Sequence, residues 1–147
     1  MPFVNAAAAP LVVGGDKVPV SLMGGKVRCS IAEFTFATDA TGTYSIPELQ
    51  FPAGARILDV ACNTDTSTST ATFSLGISGS TAKYRAMLAL TAVNMWAGSS
   101  ATLPGGNLNA ATGVALTAAE SWIMTTAAAT MPASGRMLIR VLWVDNS

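Results

Sequence analysis

The 147-residue chain contains no histidine. That removes the commonest general base and the commonest metal ligand together, and with them every Ser–His and Cys–His nucleophile arrangement. It has two cysteines, Cys29 and Cys62, without CxxC spacing, so no zinc motif can be read. Neither GxGxxG nor GxxxxGK[ST] occurs, which leaves no phosphate cradle and points to no cofactor. Charge is scarce: 11% of residues are charged, eight basic and eight acidic, for a formal net charge of zero. The basic residues Lys17, Lys26, Arg28, Arg56, Lys83, Arg85, Arg136 and Arg140 stand singly, which argues against nucleic-acid binding. No run approaches the ~20 apolar residues of a membrane span, so no membrane partner is expected. The opening MPFVNAAAAPLVV has no basic residue ahead of its apolar stretch and makes a poor signal peptide. Both cysteines sit in apolar runs, where they are expected as buried free thiols in a protein made in the cytosol.

What the chain does have is apolar surface. Half of its residues are hydrophobic. A chain of this length is one ordinary domain, able to bury roughly 68–70% of its unfolded surface without staples. With so few charges, much of the remaining exterior is expected to be covered by other copies or by a partner.

The apolar period is two almost throughout. RMLIRVLWV places Met137, Ile139, Val141 and Trp143 on one side, with Arg136, Leu138, Arg140 and Leu142 on the other. ATFSLGI puts Ala71, Phe73, Leu75 and Ile77 on one face. RILDVAC groups Leu58, Val60 and Cys62 behind Arg56. VRCSIAEFTF and ESWIMTTA are further strands, rich in β-branched and aromatic residues. AKYRAMLALTAVNMWAG suits helix or strand nearly equally and is assigned to strand because its flanks are β. The turn signals TDATGT, FPAG, SGST, LPGGN and MPASG separate these runs. MPASG and NTDTSTST both suggest hairpin connections. The expected fold is all-β: an antiparallel β-sandwich, jelly-roll-like, over residues 26–147.

Residues 1–25 differ. They hold three prolines and two Gly-Gly pairs with no clean period, and read as an extended N-terminal arm. Phe3, Val4, Leu11, Val12 and Val13 make it too apolar for a solvated tail, so it is expected to lie against the domain or a neighbouring subunit.

Few residues suggest chemistry. Asn63 and Asp65 in NTDTSTST offer oxygen ligands for calcium, but the spacing DVACNTD matches no calcium loop. The favoured reading is that these side chains bond their own backbone and the stretch merely joins two strands. Trp96, Trp122 and Trp143 are candidates for a carbohydrate platform. Trp143 is better placed in the core, while Trp96 and Trp122 suit a subunit interface, where tryptophan is enriched. Arg136 and Arg140 share one strand face and are candidates to pair with carboxylates across a subunit boundary.

The strand and turn pattern resembles a known family. Pro52, Gly54, Ala55, Ile57 and Asp59 in PAGARILDV, Phe73, Leu75, Gly76 and Ile77 in ATFSLGI, and Pro132, Gly135 and Trp143 near the end resemble head decoration (cement) proteins of tailed bacteriophages. The resemblance covers about residues 30–145. It implies an antiparallel β-sandwich, assembled as a homotrimer on the capsid exterior, with the major capsid protein as partner. A tail, fibre or head-spike component and a carbohydrate-binding sandwich are the competing readings. An enzyme is a distant one.

Overall fold

The computed structural model describes residues 26–99 and 111–145. Seven strands run in the order β1 Val27–Thr35, β2 Gly42–Phe51, β3 Arg56–Thr64, β4 Thr72–Ile77, β5 Ser80–Leu88, β6 Glu120–Ala127 and β7 Arg136–Val144. They form two antiparallel sheets, one ordered β1-β7-β3 and the other β2-β6-β4-β5. The described residues contain no helix. The expected all-β antiparallel sandwich is therefore the fold.

The core lies between the sheets and is built from alternate residues. From β7 come Met137, Ile139 and Val141, and from β3 Ile57, Val60 and Cys62. The facing sheet supplies Phe51, Phe73, Leu75, Trp122 and Met124. An aromatic chain crosses the interior: Tyr84 stacks on Trp122 at 4.0 Å, Trp122 meets Phe51 at 5.0 Å, and Phe51 meets Trp143 edge-on at 5.4 Å. Trp143 is half-buried on that same inner side, and its Nε1 donates to Ser30 Oγ at 3.0 Å. One charge is enclosed as well. The Arg85 guanidinium lies 3.9 Å from the Phe73 ring, and its Nη1 donates to the carbonyls of Phe73, Ala86 and Leu88.

Several local expectations need correction. Leu58 does not share a face with Val60 and Cys62. The pairing of β3 with β7 slips between Ile57 and Asp59, so Leu58 is a bulged extra residue, 40% exposed, and Ile57 takes the core position. Cys29 is exposed because the inner face of β1 is formed by Ser30, Ala32 and Phe34; Cys62 is buried, and both thiols are free. Burial raises the Cys62 thiol to about 11, so it stays protonated at neutral pH. MPASG and NTDTSTST are not hairpins: each carries the chain from one sheet to the other. Turn residues signal a reversal, but packing decides which sheet receives the next strand. The stretch AKYRAMLALTAVNMWAG is strand only to Leu88, after which residues 89–99 run irregularly. The sequence pattern also hides β2, which carries Pro47 mid-strand. The proline is tolerated because β2 is an edge strand and its ladder with β6 is interrupted between Ser45 and Gln50.

The true hairpin is SGST, between β4 and β5, with Ile77 opposite Ser80 and Gly79 at φ +87°. Just before it, Gly76 lets the strands approach closely: a Cβ there would collide with the backbone of Ser80 and Thr81. Gly76→Ala is therefore expected to cost about 1–3 kcal/mol, read as a lower midpoint in chemical denaturation. An unchanged midpoint would contradict the close approach.

Candidate functional site

The stretch NTDTSTST has a structural use for five of its eight polar side chains, Thr64 to Thr68. Asp65 Oδ1 accepts from Arg136 N at 2.8 Å and from Thr66 Oγ1 at 3.1 Å. Thr64 Oγ1 accepts from Thr66 N, Ser67 Oγ accepts from Ser69 N, and Thr68 Oγ1 accepts from Leu90 N at 2.8 Å. The loop is thereby clamped to the start of β7 and to the segment after β5, as side chains that bond neighbouring backbone do. Among the described residues, no three Cys, Asp or Glu side chains are placed to hold a metal ion together.

A second polar cluster lies at the β5–β6 side. Glu120 bridges Lys83 Nζ and the Tyr84 hydroxyl, which donates to Glu120 Oε2 at 2.6 Å. Burial, then the hydrogen bond and charge of Glu120, push the Tyr84 phenol well above its ordinary value. Lys83 and Glu120 line a surface pocket of about 430 Å3 with Ala111, Val114, Leu116 and Thr117. The trio satisfies itself: the lysine charge is neutralised, and the tyrosine is held protonated. No nucleophile in it is activated.

The surface that stands out is the outer face of the three-stranded sheet. Register places its side chains in rows: Cys29, Leu142 and Asp59; Ile31, Arg140 and Ala61; Glu33, Leu138 and Asn63. Its apolar members differ in exposure: Ile31 is 55% and neighbouring Val27 62% exposed, Leu138 and Leu142 are half-buried, and Ala61 is buried. Its charges are already matched within the chain. Arg140 Nη2 bonds Asp59 Oδ2 at 3.1 Å, and Arg136 lies 3.6 Å from Glu33. The antiparallel bridge between Cys62 and Ala97 carries Trp96 onto this face, where its ring centroid lies 4.5 Å from the Arg140 guanidinium. Asp59 Oδ1 and Arg140 Nε are buried beside this contact without a hydrogen-bond partner.

Trp96, Arg136 and Arg140 therefore meet on one surface. Trp122 does not: it is 1% exposed inside the core and offers nothing to a neighbouring subunit. Each of the two arginines has a carboxylate of its own chain beside it. The three tryptophans share no platform, since the Trp122 ring is stacked on Tyr84 and Trp96 sits by Arg140. Phe3, Val4, Leu11, Val12 and Val13 lie outside the described residues. Sequence periodicity marks β7 as two-faced, but the approach of Trp96 from a segment some 40 residues away has no local signal.

Comparison with solved structures adds to this geometry. A chain of the cyanophage Pam1 capsid asymmetric unit matches with a TM-score of 0.61 at 21% identity, over 99% of both chains. The fold is shared with chains of phage capsid structures. A chain of the acid-stable capsid of the Helicobacter pylori bacteriophage KHP30 matches at TM-score 0.53 and 18% identity, over 84% of this chain and 91% of that one. A chain of the Ralstonia phage GP4 capsid matches at TM-score 0.53 and 14% identity, over 91% and 94%. No protein-family model and no curated protein sequence matches.

The Asp65 clamp predicts a pH dependence. Its bond from the Arg136 backbone, then those from Thr66 and the nearby arginine charge, hold its carboxyl below the ordinary 3.8. A depressed carboxylate stabilises the fold above its unfolded value, and that contribution is lost as pH falls through the folded value. The melting temperature of the wild-type chain is expected to drop below about pH 4, with a shallower drop in Asp65→Asn. Identical acid limbs in the two proteins would show that the clamp is not ionic.

Proposed function

We propose that this protein is a non-enzymatic structural component of a phage virion, a decoration or cement protein that binds the outer surface of the head and bridges capsomers. The observation that carries this reading is the outer face of the three-stranded sheet, where exposed Val27 and Ile31 lie with half-buried Leu138, Leu142 and Trp96 and the β7 arginines are paired within the chain. Its support is a fold shared, over most of each chain, with chains of three phage capsid structures. The partner proposed is the major capsid protein, and the assembling unit a homotrimer made in the host cytoplasm.

The physical logic is multivalent. One interface on the scale of ~800 Å2 per partner yields only modest net affinity once ordering costs are subtracted. A lattice that repeats it many times converts modest contacts into strong retention. A low-charge face suits that use, because few ions must be desolvated on docking. The arm is the second contact: Phe3, Val4, Leu11, Val12 and Val13 would fill a groove or extend a sheet on a neighbour.

The test is reconstitution on capsids stripped of this protein. The wild-type chain is expected to sediment as a trimer, coat heads all over, and raise the temperature at which they release DNA. The double variant Ile31→Asp/Leu58→Asp changes two exposed side chains, so its own stability should move by about 0.5 kcal/mol per site at most, while capsid binding falls at least about tenfold. Wild-type protein that coats heads without stabilising them, or that labels one end of the particle, would overturn the cement role.

A further inference from the structure

We infer that Asp59 positions Trp96 on the outer face of the three-stranded sheet, by deciding which way the Arg140 guanidinium turns. Backbone bonds bring Trp96 to this face but do not orient its ring. Ala97 exchanges two bonds with Cys62 at the β3 edge, and both side chains are buried in the core. Neighbouring side chains of an extended pair leave by opposite faces, so Trp96 and Ala61 leave outward. Residues 89–96 belong to no strand, so no ladder neighbour fixes the direction of the ring. Ala61, directly opposite Arg140, is fully buried on the outer face, and its small side chain leaves room for ring and guanidinium to meet.

Register offers Arg140 two carboxylates. Directly across from it stand Ile31 on β1 and Ala61 on β3. Its diagonal neighbours are Cys29 and Glu33 on β1, and Asp59 and Asn63 on β3. Long side chains reach such diagonals. Glu33 and Asp59 therefore lie on opposite sides of β7, and Trp96 arrives from the β3 side. Arg140 takes Asp59, Nη2 to Oδ2 at 3.1 Å, and its guanidinium is thereby turned toward the Trp96 ring, 4.5 Å from the centroid. Glu33 sits opposite Leu138, between the two arginines of β7, and goes to Arg136 at 3.6 Å.

The two pairs differ in strength. Asp59 and Arg140 are sheltered, while Arg136 and Glu33 are open to solvent and further apart. A sheltered pair is screened less by water and salt, so Asp59 holds Arg140. The hold is a single fork: Asp59 Oδ1 and Arg140 Nε are buried and make no bond among the described residues. Removing the Asp59 charge leaves Glu33 as the diagonal carboxylate, and the guanidinium swings to the β1 side, away from the ring. The consequence for binding rests on the docking face proposed above; the positioning itself does not. On that face Trp96 is the anchor, of the residue type that dominates interface energies.

Fluorine NMR of the full chain carrying fluorotryptophan tests the positioning, with the Trp96 resonance assigned by its loss in Trp96→Phe. Asp59→Ala is expected to shift that resonance and to leave the Trp122 resonance in place. Asp59→Asn, which keeps the size and removes the charge, should shift it in the same direction. Glu33→Gln alone should not move it, but added to Asp59→Ala it should bring the resonance partway back, because Arg140 then has no diagonal carboxylate to turn to. A purely structural role of Asp59 gives no such reversal. A Trp96 resonance unmoved by Asp59→Ala, or not restored by Glu33→Gln, would overturn the inference. Binding to stripped capsids reads the consequence. Trp96→Ala and Asp59→Ala should each weaken it at least about fivefold, and the double variant no more than either alone, since both act on one ring. Losses that multiply would count against positioning. Full affinity in Trp96→Ala would sink the docking face instead, and the fluorine resonances would still decide the role of Asp59.

Discussion

The structure depends on β7, the central strand of the three-stranded sheet, and on the requirement that both of its faces find a use. Its inner side chains, Met137, Ile139 and Val141, are all but fully buried and meet the opposing sheet. Its outer side chains, Arg136, Leu138, Arg140 and Leu142, are neither a polar solvated set nor a second core. Period-two geometry forces this division, because consecutive side chains of a strand leave by opposite faces. An apolar residue on the outer side cannot be tucked inward without shifting the whole strand.

The outer face has a specific electrostatic character. Each arginine has a carboxylate of its own chain, and Trp96 further occupies Arg140. Exposed pairs of this kind add little to stability. Their effect is on what the face presents: apolar side chains beside charges of both signs that are already paired. The same economy holds in the loop after β3, where Asp65, Thr64 and Thr68 bond backbone. The polarity of NTDTSTST is spent on joining strands of opposite sheets.

Other parts of the fold trade local regularity for closure. The bulge at Leu58 changes which residues of β3 face inward, bringing Ile57 and Val60 into the core together. Arg85 is enclosed near Phe73 because β5, bulged against β4, turns both Tyr84 and Arg85 inward. The guanidinium gives donors to three carbonyls but leaves Nε and Nη2 without partners. A buried charge of this kind favours one arrangement of the strand end over alternatives rather than adding stability.

Alternation, β-branched content and turn residues were enough to establish from the sequence an antiparallel sandwich, the inner face of β7, and the facing of Ala71, Phe73 and Leu75. Those features are local, set by side chains two residues apart. Tertiary structure alone decided the rest. It made Leu58 a bulge, gave Cys29 to the surface, took Trp122 into the core, hid an edge strand behind Pro47, and sent MPASG and NTDTSTST between sheets rather than around hairpins. It also brought Trp96 onto Arg140. Each of these turns on which strand lies beside or across from which, and that choice is made by the burial of whole faces, a quantity no short stretch of chain contains.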